Sequence, residues 1–290
     1  MPTVSVIIPA RNEIFLDKTV EDILTKAEGE IEVIAVVDGY WPTPQLKDDD
    51  RLIVLHRGQG MGMRASINSA AAIAKGKYLM KSDAHCLFAP GFDKVLTEDC
   101  DDNWIVIPRR MRLDAENWCI EESSKHKPPI DYEYLSSPGH QGAKGNKWDA
   151  RTLERMDKPE YLIDENLTFQ GSCWFMTKNH YDNFLHGMSE EGYGTFVREA
   201  QEIGLKTWLG GGKVMTNKKT WYAHLHKGPK YGRMYFIDKR QIEKGNAYCD
   251  DFWFNNRWKE AKHDLAWLIE RFMPVPSWTP ELIEKVRKKS

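Results

Sequence analysis

The sequence predicts an α/β fold built on parallel βαβ units, and three observations carry that expectation. Over roughly the first hundred residues, short apolar runs alternate with stretches whose apolar residues recur at helical spacing. Two of those runs end in a carboxylate, Asp38 and Asp83. The 290-residue length suits one large α/β domain or two small ones. Strands separated by helices pair in parallel, and such sheets bind ligands at the carboxyl ends of their strands.

The elements follow in order. "TVSVIIPA" reads as a short buried strand, and "DKTVEDILTKA" sets Val20, Ile23 and Leu24 at helical spacing. "IEVIAVVDG" is a second buried strand ending in Asp38-Gly39, and "RLIVLHR" is a third. "MRASINSAAAIAKG" is a helix of small residues closed by Gly76, and "KYLMKSDAH" is the fourth strand. From 119 to 165 the pattern gives way to "SSKHKPPIDYEYLSSPGHQGAKGNKW" and its surroundings, rich in Gly, Pro and Ser. A long polar stretch of this kind is expected to be a flexible functional insert. Regularity returns with "LTFQGSCWFMTKNHYDNF" and with a helix over "TFVREAQEIGLKTWL", stopped by Gly210, Gly211 and Gly212. "KVMTNKKTWYAHLHK" reads as a strand pair or an extended segment, and further helices are expected over 242–254 and 264–272. No internal repeat is present.

Composition narrows the function. The chain is 41% hydrophobic and 29% charged with a net charge of −2, which argues against a uniformly basic nucleic-acid binder but leaves room for a local basic patch. Eleven tryptophans supply flat surfaces suited to sugars or bases, and to cores as well. The five cysteines are odd in number and form no C-x-x-C pair, which argues against a zinc ribbon or a disulfide framework and favours a reducing compartment. No signal peptide is recognised at the start of the chain and no run reaches the ~18 apolar residues of a membrane span, so a cytoplasmic location is expected. The sequon at Asn166 then carries no meaning.

In "YLMKSDAHCLFAPGF", Asp83 and His85 lie at i and i+2 and so share a face. An acid and an imidazole beyond a buried strand could hold a divalent metal; they could also be a polar strand end, since D-x-H alone is a weak signal. Glu199 and Glu202, three apart on one helix, can face one cleft. His226 alternates with His224 at strand spacing, so the two share a face; should the resemblance given below make His224 a ligand, His226 could substitute for it. "HKGPKYGRMYFIDKR" interleaves Lys227, Lys230, Arg233, Lys239 and Arg240 with Tyr231, Tyr235 and Phe236, a composition that also suits a nucleic-acid strand.

Together these motifs resemble the family-2-type glycosyltransferases of the GT-A fold, and most of all the polypeptide N-acetylgalactosaminyltransferases, which carry D-x-H where most relatives carry D-x-D. "VIIPARNEIFLDKTV" is similar to that family's first strand and Asn-Glu turn, "GMGMRASINSAA" to its Gly/Arg helix start, and "LTFQGSCWFM" to the segment shaping its sugar pocket. "REAQEIGLKTWLGGG" resembles its acidic helix, and "WYAHLHK" its metal-completing strand. The resemblance implies a Rossmann-like GT-A domain with a mixed central sheet. It assigns Asp83, His85 and His224 to a Mn2+ site (or another divalent ion such as Mg2+) and Glu199 and Glu202 to the catalytic carboxylates. It places Pro9, Arg11, Glu13, Asp38, Arg64, Asp83, Gly171, Trp174, Lys227, Tyr231 and Arg233 around a UDP-sugar. Residues 1–118 would then be the nucleotide-sugar half and 119–236 the acceptor- and metal-completing half, with the insert at 119–165 and a lid at 227–236. Residues 237–290 would be a helical extension.

The expected reaction is transfer of a sugar to a hydroxyl acceptor with retention at the anomeric carbon. The lectin domain and membrane anchor of animal relatives find no counterpart in the sequence, so the acceptor is open: a hydroxymethylated DNA base, a protein or a glycan, in a bacterial or phage-infected cell. The alternative is a non-catalytic nucleotide-sugar or nucleic-acid binding module on the same fold.

Overall fold

The computed structural model describes residues 1–122, 127–228, 230–233 and 235–287. Parts of the expected insert (123–126) and lid (229 and 234) therefore lie outside the described residues.

The first half folds as expected. β1 (Val4–Ala10) leads through α1 (Leu16–Lys26) to β2 (Ile31–Asp38), then β3 (Leu52–Arg57), α2 (Met63–Ile73) and β4 (Tyr78–Ser82). β1 pairs in parallel with both β2 and β4, and β2 with β3. Every residue of β2 is buried, which explains why its sequence runs apolar without alternation: helices cover both faces. Beyond β4 come β5 (Cys86–Phe88), α3 (Phe92–Glu98), β6 (Trp104–Asp114) and β7 (Cys119–Ile120). They are followed by β8 (Glu133–Leu135), β9 (Gly145–Lys147), α4 (Asp149–Arg155), β10 (Ile163–Glu165) and β11 (Cys173–Thr177). The chain ends with α5 (Glu199–Leu209), β12 (Lys213–His224), α6 (Lys239–Phe254), α7 (Leu265–Phe272) and α8 (Pro280–Val286).

The main sheet runs β10-β12-β6-β11-β4-β1-β2-β3, with β5 added to β12 and β7 to β6. It is mixed, because β11 lies antiparallel between β4 and β6. Strand parity sorts its side chains into two cores. Ile7, Ile34, Leu79 and Trp174 face α2, α5 and the C-terminal helices; Val6, Ile8, Val33, Met80 and Phe175 face α1 and α3.

Two regions differ from the sequence expectation, and a third is decided between its two readings. The 119–165 stretch carries β7 to β10 and α4, and it buries Tyr132, Leu135 and Trp148. Its apolar anchors stand singly between polar residues, so no period is visible, yet Trp278 Nε1 ties the Leu135 carbonyl at 2.7 Å. Of the two readings of the segment after Gly212, the extended one holds: it is one twelve-residue strand, β12, with a register shift between Asn217 and Trp221. A third C-terminal helix, α8, is present, capped by the Thr279 side chain. All five cysteines are free.

Candidate active site

A cavity of about 910 Å³ opens at the carboxyl ends of β1, β2 and β4, where a sheet of this kind binds ligands. Pro9, Arg11, Glu13, Asp38, Asp83, His85, Gly171, Glu199, His224, Lys227 and Arg233 all line it.

At its floor, β4 ends just before Asp83 and β12 ends on His224. β12 pairs with β5, so that His224 stands opposite Cys86 and beside His85. The two Nε2 atoms lie 3.1 Å apart, and Asp83 Oδ2 is 3.3 Å from His224 Nε2 and 3.8 Å from His85 Nε2. These three residues form a group whose donor atoms all fall within 4.8 Å of one another. Burial pushes the His224 imidazole down to about 3, so the ring is neutral and offers a lone pair. Burial also disfavours the Asp83 carboxylate, but Lys81 and the two imidazoles outweigh it and hold its pKa well below the usual range. A carboxylate and two imidazoles whose donor atoms all lie within 4.8 Å of one another fit a Mn2+-like divalent ion. Glu13 Oε2 stands 3.3 Å from His85 Nδ1, the arrangement that orients a ligating ring. His226 is not part of the group; it packs edge-on to His224 with ring centroids 5.2 Å apart.

The two glutamates part company. Glu199 opens α5 directly after Arg198, whose φ of 56° is left-handed, and its carboxylate lines the cavity. Trp174 Nε1 donates to Glu199 Oε1 at 2.6 Å, and Lys81 Nζ stands 3.5 Å from Oε2. Burial raises the Glu199 pKa, with Lys81 and Trp174 offsetting part of the rise. Glu202 does not line the cavity. Its carboxylate bonds Arg64, accepts from Lys206 Nζ at 2.9 Å and from the Ser189 N–H at 3.0 Å. The expectation that both carboxylates face one cleft is therefore corrected. Three residues along a helix turn a side chain about 60° away, and here a guanidinium from α2 waits on that side.

Arg64 itself is a structural residue and lies away from the cavity. It is 1% exposed, donates to the carbonyls of Val197 and Ser189, and sits over the Tyr193 ring at 4.3 Å. Trp174 is likewise wholly buried, facing the core against Tyr181, and reaches the site only through its bond to Glu199. Tyr231 turns from the cavity to meet Phe15 edge-on at 5.4 Å. Lys227, by contrast, binds both oxygens of Glu13 at 2.5 and 2.6 Å, and Arg233 lies over Phe196. Asp38 accepts the N–H groups of Met61 and Gly62, each at 2.8 Å, and so fixes the approach to α2. Gly62 has a φ of 97°, and a Cβ there would stand 2.6 Å from that of Thr195.

Sequence reading missed Lys81, Arg198, Gln170 and Gln201, all of which line the cavity. Lys81 had a usable signal: it is the single charge inside an apolar strand, on the same face as Asp83.

The fold compares with known structures. A crystal structure of GalNAc-T7 with UDP, GalNAc and Mn2+ matches over 88% of this chain at 16% identity and a TM-score of 0.66. A structure of S. aureus TarS 1-349 with UDP-GlcNAc matches over 83% of this chain at 13% identity and a TM-score of 0.51. The chain spans about half (49%) of the first of those chains and 63% of the second. No curated protein matches its sequence. The sequence profile of glycosyl transferase family 2 matches residues 5–181, from the first strand through the D-x-H to the strand that holds Trp174. That match takes in more than half of the chain and the GT-A architecture agrees with it, so the chain belongs to glycosyl transferase family 2.

Proposed function

We propose that the chain transfers a sugar from a UDP-sugar to a hydroxyl acceptor, with a divalent ion held by Asp83, His85 and His224. The convergence of those three donors on the cavity floor carries the reading. UDP is the nucleotide named in both matched structures, and it becomes the donor nucleotide of this proposal. When bound, the ion neutralises the charge that builds up on the departing diphosphate. Asp38 lies at the carboxyl end of β2 to meet the nucleoside, while Lys227 and Arg233 add positive charge near the diphosphate. Glu199 holds sugar hydroxyls and stabilises positive charge at the anomeric carbon. Lys227 and Arg233, closing over the diphosphate, exclude water.

The outcome we assign is retention. Glu202, one of two candidate bases, is tied up behind the cavity wall, and Glu199 is engaged by Trp174 and Lys81. Calorimetry with UDP tests the metal: Ala at Asp83, His85 or His224 should abolish Mn2+-dependent binding, and undiminished affinity in EDTA would refute the site. NMR of the first product from an α-linked donor tests the stereochemistry, and a β-linkage would show inversion with Glu199 as base.

For the acceptor, an anionic polymer such as hydroxymethylated DNA is favoured over a protein or neutral glycan. Lys144 and His226 line the cavity, and burial, then the positive charges of Arg110, Lys147 and Arg112, hold the His226 pKa down. Lys144 and Lys147 form no ion pair among the described residues. Reversing both charges (K144E/K147E) should weaken transfer to hydroxymethylated DNA and flatten its salt dependence, leaving UDP binding unchanged. Equal transfer by wild type and variant at every salt concentration would remove this acceptor assignment.

A further inference from the structure

The proposed metal site has an unexpected neighbour. Lys81 is 1% exposed, on a strand whose other residues are all buried, where an aliphatic side chain would pack at no electrostatic cost. Its ammonium instead meets three oxygens. It donates to Asp83 Oδ1 at 2.5 Å and to the Gly171 carbonyl, and it lies 3.5 Å from Glu199 Oε2. Asp83 is thus divided between two tasks. Oδ1 is held by Lys81, while Oδ2 alone turns toward the two imidazole nitrogens, at 3.3 and 3.8 Å.

That division bears on which ion the site accepts. Calcium takes six to eight oxygens at long distances and often fills that number with a carboxylate that gives both oxygens. Mn2+ is satisfied by fewer, closer ligands and accepts imidazole readily. We infer that Lys81 is a metal-selectivity residue: by occupying Oδ1 it makes Asp83 a one-oxygen ligand and so disfavours calcium relative to Mn2+. The ammonium is a positioning group, since it acts through its bonds to Asp83 and the Gly171 carbonyl, and its charge is balanced between Asp83 and Glu199. A lysine present only to fill the core would leave the ion preference unchanged when replaced by a side chain of similar length.

The inference rests on the Asp83–His85–His224 reading, and the test separates the two. Mn2+ binding to the full chain is followed by electron paramagnetic resonance, with calcium as competitor, for wild type and Lys81→Met. Wild type should bind Mn2+ well ahead of calcium, and in the variant the ratio of the two affinities should fall at least tenfold through tighter calcium binding. An unchanged ratio in a K81M protein with the wild-type circular-dichroism spectrum would overturn the role of Lys81 while leaving the metal site standing. Failure of wild type to bind Mn2+ would overturn both. Should K81M not fold, a crystal structure of wild type with Mn2+ decides: one Asp83 oxygen on the ion supports the inference, and both oxygens on it refute it.

Discussion

At the scale of single residues, the site distinguishes carboxylates by their partners. Glu202 is sealed in an ion pair with Arg64 whose side chains are each 1% exposed, so removing it strands a buried guanidinium. Glu202→Ala should cost about 3–5 kcal/mol of stability, read by denaturant unfolding. Glu199→Gln preserves shape and the cavity wall while removing the negative charge that the proposed reaction sets beside the anomeric carbon. It should lower kcat by on the order of 100-fold with little change in melting temperature. The reverse pattern, a stable E202A with lost turnover, would return Glu202 to the catalytic pair.

At the scale of elements, α1 is fastened to β5 by a carboxylate in an unfavourable setting. Asp22 Oδ2 accepts the Phe88 N–H at 2.7 Å, and this contact holds the short strand that runs on from His85. Burial raises the Asp22 pKa to about 6, with the Phe88 N–H and Lys26 pulling the other way. Because the folded pKa lies above the unfolded value of 3.8, the native state binds the proton more tightly across that interval. Stability from this group is therefore present below the unfolded pKa and declines as pH rises from 3.8 through about 6. Asp22→Asn keeps an acceptor for Phe88 and cannot ionise. Its stability relative to wild type should improve by about 1–2 kcal/mol between pH 4 and 7, after allowance for solvent screening. A constant difference across that range would show that Asp22 does not titrate in the window.

At the scale of the whole molecule, the C-terminal helices belong to the main core. Leu265, Leu268, Ile269 and Phe272 of α7 are buried with Trp208 of α5, and the Phe272 and Trp208 rings meet edge-on at 5.4 Å. Trp278 and Ile283 extend the same cluster beyond α7. Each large apolar side chain contributes about 1.5–3 kcal/mol on burial, so losing six removes about 9–18 kcal/mol, as much as the whole ~5–15 kcal/mol stability of a typical domain. A chain ending at residue 263 should show no cooperative thermal transition by circular dichroism. A sharp melt near the wild-type temperature would mean that the remaining domain folds without α7 and α8.

Local sequence was sufficient wherever the signal is carried by neighbours along the chain. The apolar runs of β1, β2 and β4, the helical spacing of α1, and Asp83 with His85 on one face all follow from backbone period. His224 could be assigned only through family resemblance, since 139 residues separate it from His85. Tertiary structure alone decided what each long-range partner does to a side chain. Arg64 and Glu202 are 138 residues apart, and their pairing removes both from the cavity that they were expected to line. Trp174 sits on the core face of β11 because strand parity and the packing of α5 put it there, so it supports Glu199 instead of lining the cavity. Lys81 became visible as a partner of Asp83 only once the Gly171 carbonyl and α5 closed around it. Period and motif report the backbone, whereas the fate of a charge depends on which opposite charge the fold delivers to it.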